Sequence, residues 1–276
     1  MKNQPIGIFD SGVGGLTVFD AIARTHPSES LIYFGDTGRY PYGVRSKAVI
    51  VEFACQIAGF LEAQGCKFIV IACNTASALA LAEVAAHVKL GVIGVIEPGA
   101  EAAVRSSRGR IGVIATEATV RSQAYAQAIH AIDANAQVVA RACPLFVSLA
   151  EEGYAGRPAT RLIAEEYLSP FATENIDTLV LGCTHYPLLR SAIQKAVGSS
   201  VRLIDSAPAA VRELQCVLED RNELRSNKEG SGLEVFVSDF SKNFLEVGKQ
   251  FLGRPLRKAQ VVRFKGEVVE DGRWTL

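Results

Sequence analysis

Two cysteines stand in matching surroundings. Cys73 lies behind an apolar run within Ile69 to Thr75 (IVIACNT), and Cys183 likewise within Leu179 to Thr184 (LVLGCT), 110 residues further on. Short polar side chains come next, Asn74 and Thr75 in one case, Thr184 and His185 in the other. Both settings read as a buried strand running into a helix start, where Thr75 or Thr184 could cap. Free backbone N–H groups at such a start favour a thiolate over a thiol. An ordinary thiol has a pKa of about 8.5, so a modest downward shift makes a usable base near neutral pH. A single cysteine in such a place is ordinarily a small buried apolar residue. Two in equivalent settings point to one shared task. Opposed acid/base groups of the same kind suit inversion at a carbon: one removes a proton from one face, and the other returns a proton to the opposite face. The carbanion-like state between those steps needs positioned hydrogen-bond donors in a dry cleft.

The elements that must hold these residues are legible as short apolar runs alternating with helix-like stretches. Strands are expected at Ile6 to Phe9, Leu31 to Phe34, Phe68 to Ala72, Gly91 to Ile96, Arg110 to Ile114, Ala136 to Ala140, Thr178 to Leu181 and Arg202 to Ile204. A glycine-rich turn from Ser11 to Gly15 leads into a helix through Ala23, and Ala76 to His87 is a second helix. Further on, Glu219 to Gly232 reads as an exposed loop or frayed helix end. A strand at Leu233 to Val237, a helix from Ser241 to Phe251 and a short strand near Val261 close the chain. Alternating strands and helices predict α/β architecture with parallel sheets covered on both faces. The segments around Gly7 and Gly112 also correspond, at nearly the same offset as the cysteines. Two similar parallel-sheet α/β domains, each presenting one cysteine at a strand end, follow from that pairing.

Ligand sites in open parallel sheets lie beyond the carboxyl ends of the strands. That rule selects Asp10, Ser11, Asp36, Thr37, Cys73, Asn74, Thr75, Thr116, Thr119, Cys183, Thr184 and His185. Polar groups at the ends of buried strands cost free energy unless paired or used, so one shared site is the economical reading. The turn Gly12-Val13-Gly14-Gly15 is out of register for G-x-G-x-x-G, and Asp10 before it would repel a phosphate. Glycines that admit a small anionic ligand to a helix N-terminus fit better. Cys183 and His185 lack the further neighbouring ligands that zinc requires, so no metal is expected. His185 is favoured as a general acid beside Cys183. The other histidines, His26, His87 and His130, read as solvated or structural, and Cys55, Cys66, Cys143 and Cys216 default to packing.

Bulk properties exclude other classes. The chain has 276 residues, 49% hydrophobic and 21% charged, which suits a globular protein of two ordinary domains. Lys+Arg and Asp+Glu are 29 each, giving no net charge and no basic block for nucleic acid. The opening MKNQPIGIFD has no apolar signal segment, and no apolar stretch is long enough to span a membrane. A cytoplasmic protein with reduced thiols is the expectation.

Ile6 to Thr17 (IGIFDSGVGGLT), Tyr33 to Gly43 (YFGDTGRYPYG), Ile71 to Ser77 (IACNTAS) and Leu181 to Leu189 (LGCTHYPLL) closely resemble the motifs of the bacterial glutamate racemases, within the aspartate/glutamate racemase family. Gly94 to Pro98, Leu203 to Ser206, Ser238-Asp239 and Phe251 to Gly253 extend the resemblance nearly end to end. It implies a second domain, 97–207, inserted into a first formed by 1–96 plus 208–276, related by a pseudo-twofold axis with the active site in the cleft between. It further implies two-thiol interconversion of L- and D-glutamate with no cofactor, supplying D-glutamate for peptidoglycan. Aspartate is the competing substrate. On the family pattern Cys73 is the base toward D-glutamate and Cys183 toward L-glutamate, assisted by Asp10 and His185 respectively. Substrate contacts carried over by motif are Asp10, Ser11, Tyr42, Gly43, Asn74, Thr75, Thr184 and His185, to which the strand-end residues Thr116 and Thr119 are added. Pro144 to Glu151 (PLFVSLAE) supplies a glutamate, Glu151, with Glu152 beside it as the competing assignment. The partner expected is therefore a small amino acid, not nucleic acid or membrane, with a homodimer as the assembly to test.

Overall fold

A computed structural model describes residues 2–227, 232–240, 244–256 and 258–264. Among these residues, ten strands form two sheets: β1 (Ile6–Asp10), β2 (Leu31–Gly35), β3 (Phe68–Ile71), β4 (Gly91–Ile93), β5 (Arg110–Ala115), β6 (Gln137–Ala142), β7 (Thr178–Gly182), β8 (Arg202–Asp205), β9 (Leu233–Val237) and β10 (Gln260–Val261). The first sheet has the order β10-β9-β2-β1-β3-β4, and the second β6-β5-β7-β8. Every pairing is parallel. The fold is α/β with two domains, as the alternation of elements predicts.

The two sheets repeat one another. Their central strands follow the same order, with β2-β1-β3-β4 matched by β6-β5-β7-β8. The register repeats too: Phe9 lies opposite Ile71 on β1 and β3, and Ile114 lies opposite Leu181 on β5 and β7. Cys73 and Cys183 each stand two residues beyond these partners. Their equivalence is therefore structural as well as sequential.

Each sheet buries apolar side chains on both faces, which is why its strands read as continuous apolar runs. Along β1, Ile6 and Ile8 enter one core and Phe9 the opposite one. Along β7, Val180 enters one core while Leu179 and Leu181 enter the other. The helix Ser206–Asp220, capped by Asp205 through the Ala207 N–H at 2.9 Å, packs against both Leu16–Thr25 and Ile96–Ser106. It thereby ties a helix of the first sheet to one leading into the second.

Some boundaries differ from expectation. β4 stops at Ile93 instead of Ile96, because the Ser77 hydroxyl takes the Val95 N–H at 3.2 Å and a helix begins at Ile96. The last helix spans Phe244–Leu252, while residues 241–243 lie outside the described set. The expected polar loop begins after a helix that runs on to Asp220, and residues 228–231 are also outside the described set. Among the described residues, no helix is long and apolar enough to cross a membrane.

Candidate active site

The carboxyl ends of β1 and β3 meet those of β5 and β7, and polar side chains join them. Asp10, the last residue of β1, is buried, and its Oδ1 accepts the Gly12 N–H at 2.9 Å. Its Oδ2 accepts the Thr184 hydroxyl at 3.3 Å, from just past β7. Burial raises the Asp10 carboxyl above its ordinary range, opposed by the His185 charge, the Gly12 and Gly15 N–H groups and Thr184.

Cys73 caps the helix Asn74–His87. Its sulfur accepts the Ala76 N–H at 3.5 Å, and Ser11 Oγ lies 3.5 Å away. Burial pushes the thiol up to about 12 and the Asp10 charge adds to this, while Ala76 and Ser11 oppose it. The expectation that a helix start would yield a ready thiolate is corrected here, because desolvation outweighs the N–H groups. Cys73 is a protonated thiol at neutral pH.

Cys183 departs from expectation in another way. A single turn of 3₁₀ helix, Tyr186–Leu189, follows it, and the α-helix begins only at Arg190. The following α-helix therefore starts seven residues beyond this sulfur, and Thr184 turns to Asp10 instead of capping. The partner of Cys183 is His185, whose Nδ1 lies 3.7 Å from the sulfur. The Nε2 of the same ring pairs with Glu151 Oε1 at 2.8 Å. Of the two adjacent glutamates, it is Glu151 that meets the histidine. Burial alone would lower the imidazole, but bonds to Cys183 and Glu151, with their charges, hold it up at about 10. His185 is a cation at neutral pH.

Three hydroxyls close another part of the junction. Thr75 Oγ1 lies 2.9 Å from Thr116 Oγ1 and 3.2 Å from Thr119 Oγ1, and those two are 2.9 Å apart. Thr116 caps the helix Glu117–Ser122, so both sheets supply members of the cluster. A Cβ on Gly43 would stand 3.0 Å from the Thr116 side chain, which places that loop over the same hydroxyls. Tyr42 is held differently from its neighbour. Its phenol donates to Asp36, which also takes both bonds from Arg39 Nε at 2.9 and 2.8 Å. The Tyr42 ring thus anchors the loop that carries Gly43.

Sequence reasoning missed three aromatic residues. Tyr40 stacks on His185 with centroids 6.3 Å apart, its hydroxyl facing Glu151, and burial raises its phenol. Phe251 meets the same imidazole edge-on, with centroids 5.2 Å apart. Tyr125 donates to Asn74 Oδ1 at 2.7 Å. Tyr40 and Phe251 lie inside quoted motifs, so their proximity to the site was readable there; Tyr125 carries no such signal. Cys216 is exposed, contrary to the packing role expected of it, whereas Cys66 and Cys143 are buried. Among the described residues, no three His, Cys, Asp or Glu side chains gather as a metal site.

Residues 10–214 match the Asp/Glu/Hydantoin racemase family. A glutamate racemase of Geobacter metallireducens is 48% identical over 97% of this chain and 99% of its own. The crystal structure of glutamate racemase from Francisella tularensis in complex with D-glutamate superposes with a TM-score of 0.90 at 41% identity, covering 95% of this chain and 98% of that one. The Thermus thermophilus glutamate racemase in complex with β-chloro-D-alanine gives a TM-score of 0.85 at 42% identity, with coverage of 95% and 98%.

Proposed function

The chain belongs to the Asp/Glu/Hydantoin racemase family, and on that premise we propose that it interconverts L- and D-glutamate by proton transfer between Cys73 and Cys183, without a cofactor. The observation that carries this reading is the repeated register, which sets the two sulfurs at equivalent strand ends beside one junction.

With L-glutamate, the Cys183 sulfur takes the α-proton from one face, breaking the C–H bond and leaving its electron pair on the carbon. The Cys73 S–H then delivers its proton to the opposite face. Cys183 ends as the thiol and Cys73 as the thiolate, and proton exchange restores the starting form. D-Glutamate runs the same steps in reverse. Burial holds Cys73 as a thiol, which is the form set to receive the L-enantiomer. The substrate ammonium, entering the same dry space, opposes that burial when Cys73 must carry charge.

Asp10 assists on the Cys73 side. His185, oriented by Glu151 and covered by Tyr40, assists on the Cys183 side. Ser11, Asn74, Thr75, Thr116, Thr119, the Thr184 backbone N–H and the Tyr42-Gly43 backbone supply donors for two carboxylates and the developing negative charge. A turnover of about 10 per second requires a barrier near roughly 16 kcal/mol, and fixed donors in a water-poor cleft are the means available. The D-glutamate so formed would serve peptidoglycan synthesis.

Incubation of chelator-treated protein, free of pyridoxal phosphate, with L-glutamate in deuterated water tests the reading. D-Glutamate carrying deuterium at Cα is the expected product. Failure to exchange the α-hydrogen of either enantiomer rejects it. Running aspartate in parallel measures substrate choice, where one methylene is worth only about 1–3 kcal/mol.

A further inference from the structure

Tyr125 sits outside the proton-transfer machinery, yet its hydroxyl ends on a residue of the site. It belongs to the helix Ala124–Ile132 of the second domain, and it meets Asn74, at the start of the helix that follows Cys73 in the first. Both side chains are buried, at 3% and 2% exposure. Two glycines make room for the ring: a Cβ at Gly99 would lie 3.2 Å from the phenol oxygen, and one at Gly182 would lie 3.0 Å from the ring edge.

The phenol is the donor in this contact and gives its hydrogen to Asn74 Oδ1 at 2.7 Å. The other end of the amide, Nδ2, is buried and has no partner. A carboxamide's two ends are nearly equal in size and opposite in hydrogen bonding. Turned one way, Asn74 offers two N–H donors between Cys73 and Thr75; turned the other way, it offers an oxygen that repels a carboxylate.

We infer that Tyr125 is a positioning residue that fixes the Asn74 amide with its N–H₂ toward the substrate carboxylate. This rests on the reading of the site as one for an amino acid. Because phenol and amide come from different domains, the donor is correctly turned only when the two domains are together.

Tyr125→Phe keeps the ring and removes only the hydroxyl. The contact to carboxylate is already made in the bound ground state, so its loss raises KM. The expected change is a rise in KM of about five- to tenfold for both enantiomers, the effect of one neutral hydrogen bond. Asn74→Ala should raise KM further, and the double variant should be no worse than Asn74→Ala alone. An unchanged KM in Tyr125→Phe, or effects that multiply independently in the double variant, overturns the inference. The Asn74 side-chain amide resonances, identified by their loss in Asn74→Ala, test the pairing without turnover. They should shift in Tyr125→Phe; their standing still overturns the pairing, whereas absence of glutamate turnover in the wild type rejects only the functional reading.

Discussion

Thr184 donates to Asp10 across 3.3 Å, joining the last residue of β1 to the second residue beyond β7. Cys183 is the chain neighbour of this threonine, and the Asp10 charge acts on Cys73, so one hydrogen bond lies beside both sulfurs. Thr184→Val preserves shape and deletes the donor, leaving Asp10 with the Gly12 and Gly15 N–H groups. Breaking a buried bond of this kind costs about 1–3 kcal/mol. Urea unfolding should show a lower midpoint, and racemisation should fall with it. An unaltered midpoint together with full activity would show that the contact holds nothing in place.

The two thiols make a second prediction, which concerns direction. Cys73→Ala and Cys183→Ala should each reduce racemisation by about a thousandfold or more, the size of a lost acid/base group at its upper range. An analogue with a β-leaving group needs only one base, since loss of the α-proton and departure of the leaving group complete the reaction. Cys73→Ala should therefore still eliminate from the L-enantiomer, and Cys183→Ala from the D-enantiomer. Chiral analysis of the unreacted analogue reads the outcome. Both variants consuming the same enantiomer contradicts a base on each face.

Much of this arrangement was legible in the sequence, and the remainder was hidden for identifiable reasons. Strands buried on both faces appear as dense apolar runs, so β1, β3, β5 and β7 and the polar residues after them could be placed directly. The long helix Lys47–Ala63 went unread because its apolar residues are too dense to show a clear period. The state of Cys73 depends on how far three-dimensional packing excludes water, which no local motif records. The turn after Cys183 begins with Tyr186-Pro187, and that proline sits inside a 3₁₀ segment where an α-helix start was expected. Tyr125 is joined to Asn74 by the meeting of two sheets, 51 residues apart in the chain, and no spacing rule reaches that far.

The His185 pair yields a pH prediction with a definite sign. The folded imidazole titrates at about 10, above its ordinary 6.5. A raised value means that the native state binds the proton more tightly than the unfolded chain. The stabilisation is complete below about 6.5, declines above it, and is lost as pH passes through about 10. The stability gap between wild type and His185→Gln should therefore narrow across that window. By imidazole NMR, one histidine should stay protonated through neutral pH. Glu151→Gln, which removes an acceptor charge 2.8 Å from Nε2, should lower its midpoint. A His185 that titrates near 6.5 in wild type defeats the assignment.

In the turn after β1, a residue without a side chain packs against the residues that follow β7. A Cβ on Gly14 would stand 2.3 Å from Thr184 Oγ1 and 2.6 Å from the His185 ring. Gly14→Ala therefore has two ways to relieve the overlap. The Thr184 hydroxyl can rotate away and lose Asp10, or the β1 and β7 ends can move apart and change the spacing that both thiols depend on. Either response damages the junction more than the fold, since overpacking of one methyl costs about 1–3 kcal/mol and chemistry tolerates far less displacement. The variant should remain folded by circular dichroism while losing most of its racemisation. Gly156→Ala, where an added Cβ meets nothing within 4 Å, is the matched control and should behave as wild type. Equal activity in the two variants would mean that Gly14 does not govern how closely the cysteine-bearing ends meet.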